Sequence, residues 1–499
     1  MRLLVPFLCL LLSSCVDLAP FRTELPTKGS ACTNCPETSL NSEHSIREST
    51  EQYDLYFVEF DDQGLQYPAE MFCTKDENDP CKPPKCDLTR NDCLNTPAAA
   101  YQINNLIKQL NQTLSGEQWK GMSLVVYIHG WKHNAESSDP NLKGFRQLLE
   151  NSALIEKELK TGRRVAGLYV SWRGQSIDLP YLEDITFWSR KTAALHVAQG
   201  SSRELFARLR GFKCAQNSKG QKEGERNCNR PATGDQPVKV VLIGHSFGAL
   251  VLYNSISGSL IESMTHAFDA EADEKAYWRF GDLTVLLNPA FEATRYTPLH
   301  RIARGADYSR YEAPLLVSIT SSADQATGIA FPAGRAINSI FERYAPLSEE
   351  RVANRRTMGH YAPYITHELK SYDDEKRPAE CAGWQVGTSL KEGTTDQRKL
   401  AANLEIEERN RERFFCDNGE WSEAQFKLKR AGWLRQFCGG VQLEHTGGKE
   451  NSPIWNVSTD ASIIKNHNDI MEPKLVDFFR QLYLDTVLVS KSDCRRALN

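Results

Sequence analysis

The sequence predicts an α/β fold, a mostly parallel sheet flanked by helices on both faces, with a large insertion near the C-terminus. Three observations predict it. Short runs of Val, Ile and Leu alternate with segments of helical periodicity, as in a chain of strand–helix–strand units. Most of those runs are apolar without interruption, which suits strands buried on both faces. Polar residues gather just beyond the later runs, at the carboxyl ends where an open parallel sheet binds its ligands.

The elements follow in order. Asp54-Leu55-Tyr56-Phe57-Val58-Glu59-Phe60 alternates and is expected as an opening antiparallel edge strand. Residues 100 to 113 read as a helix. Leu124-Val125-Val126-Tyr127-Ile128 is a strand, and Phe145, Leu148, Leu149, Leu154, Ile155 and Leu159 then recur at helical spacing. Val165 to Val170 returns as a strand, and about 187 to 210 as a helix. Val240-Val241-Leu242-Ile243 runs into Gly244-His245-Ser246-Phe247-Gly248-Ala249 and a packed helix. Leu283 to Leu287 runs into Asn288-Pro289, and Leu315 to Ile319 into Ser321-Ser322-Ala323-Asp324. Pro473, Leu475, Phe478, Phe479, Leu482 and Tyr483 mark a closing amphipathic helix.

Ser246 falls on the turn between a strand and a helix. A serine there has strained backbone angles, so its neighbours two residues away must be tiny, and Gly244 and Gly248 are. The turn exposes the hydroxyl at the positive end of a helix and aims the Phe247 amide where an oxyanion would form. The five letters alone are a weak signal. His129-Gly130-Trp131, at the end of the 124–128 strand, supplies the second half of such a site.

Together these half-sites resemble the α/β-hydrolase superfamily, in the form with a single glycine before a bulky residue at the oxyanion loop. The resemblance covers most of the mature chain. It implies a Ser, acid, His order along the sequence, a second oxyanion donor at Trp131, and no cofactor.

Asp324 is the expected acid, since it follows the second strand after Ser246 and lies in a polar loop. Glu292 is the alternative, after the preceding strand, although Phe291-Glu292-Ala293 also reads as a first helical turn. Asp282 precedes its strand and belongs at the wrong edge of the sheet. His467, in the loop before the closing helix, is the expected base, with His360 and His367 as rivals. His245 is assigned to packing. The side chains of Trp131 and Phe247 either line an acyl pocket or pack structurally. His129 and His133 are four apart but bracket a glycine turn with no acidic third ligand at a telling distance, so no metal is expected. A helix start beside a sheet accounts for Trp188-Ser189-Arg190-Lys191.

At the start of the chain, Arg2 and the apolar run Leu3 to Leu12 read as a signal peptide over residues 1–14. Leu12-Ser13-Ser14-Cys15 resembles the lipobox of bacterial lipoproteins, which implies a lipid on Cys15 and anchoring in a bacterial cell envelope. The absence of Asp after Cys15 favours the outer membrane by the same resemblance; secretion after ordinary cleavage is the alternative. Residues 15–50, rich in Ser, Thr and Pro, are expected as a tether. Of fourteen cysteines, twelve remain after Cys9 and Cys15 are removed, an even number that points to disulfides in an oxidising compartment. Cys214 with Cys228, closing a Lys, Gly and Asn-rich loop, is the pair expected; connectivity in the other groups stays open.

The organisation expected is therefore a core over 51–344 with a Cys-rich insert at 71–96, a charged insertion or cap at 345–450 near the mouth of the site, and core completion over 451–490. The insertion lacks the apolar-faced helix of a lipase lid. Net charge is a mild −4, which gives no footing for nucleic acid. The function expected is a membrane-anchored carboxylesterase acting on a small-molecule ester through an acyl-serine intermediate. A thioesterase, lipase or amidase would carry the same triad, and a non-catalytic lipoprotein binding a partner on this scaffold is the reading from another class.

Overall fold

A computed structural model of the chain describes residues 19–25, 43–68, 71–74, 101–116, 118–174, 183–219, 236–269, 280–305, 314–339, 342–343, 348–385, 394–417, 420–421, 434–449 and 452–488. Its centre is one sheet of eleven strands. In chain order these are β1 (Arg47–Ser49), β2 (Tyr53–Phe60), β3 (Gly121–Ile128), β4 (Arg163–Trp172), β5 (Val238–His245), β6 (Leu283–Leu287), β7 (Leu316–Ser321), β8 (His367–Ser371), β9 (Leu434–Phe437), β10 (Val441–His445) and β11 (Ile454–Thr459). Across the sheet they lie β9-β10-β8-β11-β7-β6-β5-β3-β4-β2-β1. The eight strands from β8 to β2 run parallel, and antiparallel strands are added at both edges. The sheet is thus mixed but mostly parallel.

Helices cover both faces, which is why the strands are apolar throughout. Side chains alternate across a strand, so β3 sends Leu124, Val126 and Ile128 to one core and Val125 and Tyr127 to the other. The first core is closed by α1 (Tyr101–Ser115), α3 (Glu183–Gln199), α4 (Ser201–Asn217), α5 (Phe247–Asp269) and α6 (Ala293–Gly305). The second is closed by α2 (Pro140–Glu158) and α10 (Pro473–Tyr483). Helix α2 starts where Asp139 accepts hydrogen bonds from the Asn141 and Leu142 amides, with Pro140 in the first turn. A Cβ at Gly167 of β4 would lie 2.3 Å from Leu149, so a glycine lets α2 sit close on the sheet.

Four expectations need correction or fall outside the described residues. First, β2 is not an antiparallel edge strand: it pairs parallel with β4, and β1 takes the edge. Its polar residues are paired inside rather than facing water. Asp54 bonds Arg47 and Arg164, and Glu59 accepts the Arg22 amide at 2.7 Å. Second, residues 19–25 and 43–50 do not behave as a tether. The Arg22 side chain is wholly buried, donates to Ala135 and Glu48, and lies 4.0 Å from the Phe57 ring.

Third, the segment 345–450 is not a cap set apart from the sheet. Beyond α7 (Phe331–Asn338), it supplies β8, β9 and β10, together with α8 (Ser348–Arg355) and α9 (Thr394–Phe415). The free edge beyond β11 recruits these strands because an unpaired edge leaves backbone groups unsatisfied. Leu400 and Leu404 of α9 pack on Leu154 and Ile155 of α2, and a disulfide joins Cys381 to Cys438. Fourth, Cys214 is disulfide-bonded, but Cys228, Cys15, residues 1–14 and all of the Cys-rich insert beyond residue 74 lie outside the described residues. Among the described residues no helix is long and apolar enough to cross a membrane.

Phe145 tests the second core, since it is wholly buried with its ring centroid 5.4 Å from that of Tyr127 and 5.9 Å from that of Tyr169. Phe145→Ala is expected to lower the unfolding free energy by about 3–5 kcal/mol. Denaturant titration checks this as a lower midpoint at unchanged slope.

Candidate active site

The connections select one place on the sheet edge. From β3 the chain leaves through α2 on one face to reach β4, whereas from β5 it leaves through α5 on the other face to reach β6. The strands stay paired to Ile128 and Gly244, but the chain leaves their carboxyl ends toward opposite faces, and it is just outside such ends that an open sheet forms its crevice. His129-Gly130-Trp131 follows β3 there, and Ser246 follows β5.

Ser246 has φ +56°, a left-handed conformation that costs a side-chain-bearing residue energy. Its surroundings over-determine it. The Ser246 amide donates to Leu287 O at 2.9 Å, and its carbonyl accepts from Ala249 and Ala290 at 3.1 and 3.2 Å. A Cβ at Gly248 would lie 2.2 Å from Ile128 O, one at Gly244 2.8 Å from Ala249 Cα, and one at Gly130 2.8 Å from Ser246 Cβ. Only glycine lets these backbones meet. The Phe247 amide sits in the first turn of α5, where a helix provides it no intrahelical acceptor.

Three distant side chains converge on this turn. His467 Nε2 lies 2.7 Å from Ser246 Oγ, and His467 Nδ1 lies 2.8 Å from Asp324 Oδ2. The carboxylate can only accept, so the Nδ1–H tautomer is assigned and Nε2 is left to accept the serine proton. Asp324 is 1 % exposed. Its Oδ1 accepts from the Ala326 and Thr327 amides at 2.9 and 3.2 Å, and Oδ2 also accepts from the Thr327 hydroxyl. Burial alone would raise the Asp324 carboxyl, but the bonds and charge from His467 and the Thr327 bonds outweigh it and hold it below its ordinary value.

The loop bearing His467 is fastened by residues that the sequence reading did not single out for this. The His467 carbonyl accepts from His245 Nε2 at 2.9 Å and from Asn288 Nδ2 at 3.0 Å, while Ser321 Oγ donates to Ile464 O at 2.7 Å. Asn288 Oδ1 also accepts the Ser321 amide at 3.1 Å, so one side-chain amide ties the ends of β6 and β7 to this loop. His245 does more than pack. Burial, with His467 and His133 nearby, holds its imidazole well below its ordinary value, so it stays neutral and donates. The available signal was a polar residue at each strand end, which does not reveal the partner across the crevice.

On the β3 side, His129 is wholly buried and lowered to about 4 by burial, so it too is neutral. The Trp172 amide donates to its Nε2 at 3.2 Å, which leaves Nδ1–H to donate to Gly130 O at 2.8 Å. Because a trans peptide sets N–H opposite C=O, holding the Gly130 carbonyl also fixes the direction of the Trp131 amide. His129 is therefore a support of this loop rather than a group facing the crevice. The Phe247 ring is buried and packs on Phe187 at 4.8 Å, whereas Trp131 is half-buried and meets Phe187 edge-on at 5.3 Å.

The rivals lie elsewhere. Glu292 is buried among cations, pairing with Lys191, with Arg295 Nε at 2.9 Å and with Arg335 Nε at 3.2 Å. Asp282 caps the far end of β5 and pairs with Lys213 at 2.8 Å. His360 bonds the Thr327 hydroxyl, at 3.0 Å, and His367 packs in β8 against Trp455. His133 bonds Asp139 at 3.1 Å and Asn141 at 3.1 Å. Among the described residues no three His, Cys, Asp or Glu side chains are grouped to hold a metal. No family model, curated protein or solved structure matches this chain.

The Glu292 cluster makes a pH test. Desolvation would raise its carboxyl, but Lys191 and Arg295 outweigh that and lower it from 4.5 to about 2. A depressed folded-state value means the stabilisation is full above the unfolded value and is lost as pH falls through the folded one. The difference in unfolding free energy between wild type and Glu292→Gln is therefore expected to shrink as pH falls from 4.5 toward 2. Denaturant titrations at several pH values check it; a difference that grows on acidification contradicts this account.

Proposed function

We propose that this chain is a serine hydrolase on an α/β-hydrolase scaffold, a carboxylesterase acting through an acyl-serine intermediate. The observation that carries the reading is the unbroken hydrogen-bond chain from Asp324 through His467 to Ser246, at 2.8 and 2.7 Å, in the crevice between β3 and β5. The order of parallel strands supports the scaffold: the run β2-β4-β3-β5-β6-β7-β11 delivers Ser246 after β5, Asp324 after β7 and His467 after β11.

Each group has a task in the proposed reaction. His467 Nε2 takes the Ser246 proton as Oγ attacks the ester carbonyl, and the Phe247 and Trp131 amides hold the oxyanion. Asp324 keeps the Nδ1–H tautomer and stabilises the imidazolium. His467 then returns the proton to the leaving alcohol, and water, deprotonated by the same imidazole, releases the acid. A lipid on Cys15 would hold this enzyme on the surface of a bacterial outer membrane, with a dispersed small-molecule ester as substrate.

Fluorophosphonate labelling tests the proposal. Wild type is expected to take the label and Ser246→Ala to take none. Asp324→Asn is expected to label slowly and to lower kcat on a matched ester by on the order of 10⁴. A folded wild type that takes no label sinks the enzymatic reading, and faster turnover of a matched thioester or amide moves the substrate class.

A further inference from the structure

The acid of the proposed triad has a neighbour that the reaction as written does not use. Three residues beyond Asp324, Thr327 sits in a single wide helical turn (Ala326–Ala330) and is wholly buried, its hydroxyl donating to Asp324 Oδ2. That is the same oxygen that lies 2.8 Å from His467 Nδ1. The spacing is that of a helix cap, in which a side-chain oxygen meets the amides two and three places on, and Thr327 adds its hydroxyl to the set. On the other side of this hydroxyl, His360 Nε2 lies 3.0 Å away.

Proton counting fixes the directions along this chain. A carboxylate only accepts, so the single Thr327 proton goes to Asp324, and the Thr327 oxygen then accepts from His360 as the Nε2–H tautomer. In the other tautomer, His360 would compete with Asp324 for that proton. Burial, with Arg356 adding to it against the pull of Asp324, holds the His360 imidazole below its ordinary value, so a neutral ring meets Thr327 at neutral pH. Two glycines allow the approach. A Cβ at Gly359 would lie 1.8 Å from Thr320 Oγ1 of β7, and one at Gly328 would lie 3.1 Å from His360 Cε1. Asn456 of β11 holds the same segment, donating through Nδ2 to the Met358 carbonyl at 3.0 Å.

We propose that Thr327 and His360 are positioning residues for Asp324: the His360 N–H occupies the Thr327 oxygen, commits the hydroxyl proton to Oδ2, and so holds the oxygen that orients His467. This rests on the reading of Ser246, His467 and Asp324 as a triad. Hydrogen bonds then run unbroken from His360 through Thr327, Asp324 and His467 to Ser246, and a hydroxyl that itself accepts a bond donates more strongly. Thr327 acts on the carboxylate directly. His360 acts through Thr327.

Steady-state kinetics of the full chain on a matched ester, with fluorophosphonate labelling of the same samples, tests this. Thr327→Val is expected to lower kcat about tenfold at unchanged KM, since the imidazolium that Asp324 steadies forms only as the reaction proceeds. Thr327→Ser keeps the hydroxyl and is expected to keep kcat. His360→Leu is expected to lower kcat severalfold, whereas His360→Gln, whose amide still donates at that place, is expected to restore it. In the Thr327→Val background, His360→Leu is expected to cost nothing further. Should Thr327→Val not fold, the two His360 variants, at a half-buried position, decide alone. Unchanged kcat in Thr327→Val or His360→Leu, losses confined to KM, or losses that add in the double variant overturn this proposal while a labelled wild type leaves the triad standing. A wild type that takes no label overturns both.

Discussion

The close approach of the β3 and β5 backbones at the carboxyl edge governs the rest of the site. A side chain at Gly248 would strike the Ile128 carbonyl at 2.2 Å, and one at Gly130 would strike Ser246 itself at 2.8 Å. With glycine at both places, the left-handed Ser246 lies against the loop of His129, Gly130 and Trp131, and two strands share one small volume. The neutral His129 then fixes the Gly130 carbonyl, and with it the plane of the peptide that carries the Trp131 amide. Strain at Ser246 persists because hydrogen bonds from the end of β6, the loop after it and the first turn of α5 oppose its relaxation.

Desolvation acts on every buried acid in the molecule, and partners decide the outcome. Asp324 and Glu292 are buried, yet both are held below their ordinary values because cationic or donating groups face them. Glu407 is buried too, with Arg480 on one oxygen only, and it is driven up to about 7. There burial and the nearby charges of Asp477 and Asp485 outweigh the pairing with Arg480. Beside His467, two backbone amides and a hydroxyl keep the Asp324 carboxylate charged.

Much of this was legible along the chain. The strands at 121–128, 163–172, 238–245, 283–287 and 316–321 are read from uninterrupted β-branched and apolar runs, since burial on both faces leaves no polar position to obscure them. Ser246, Asp324 and His467 were singled out from their places relative to those runs, and the sheet does bring them within hydrogen-bond distance. The errors share a cause. Alternating polarity in 54–60 looked like an exposed face, and charge in 345–450 looked like a solvated cap. Asp54 and Glu59 instead have buried partners more than thirty residues away, and β8, β9 and β10 pair with a sheet edge that local composition does not reveal.

By itself the sequence determined the periodicities, the tiny residues around Ser246 and the order in which polar residues follow the strands, because these are properties of neighbours along the chain. Tertiary structure alone decided which polar groups face each other. The His467 carbonyl is gripped by His245 and Asn288, residues 222 and 179 positions away, and Glu292 is taken out of contention by Lys191. Such pairings depend on strand order and crossover direction, which set distances between residues that no local pattern relates.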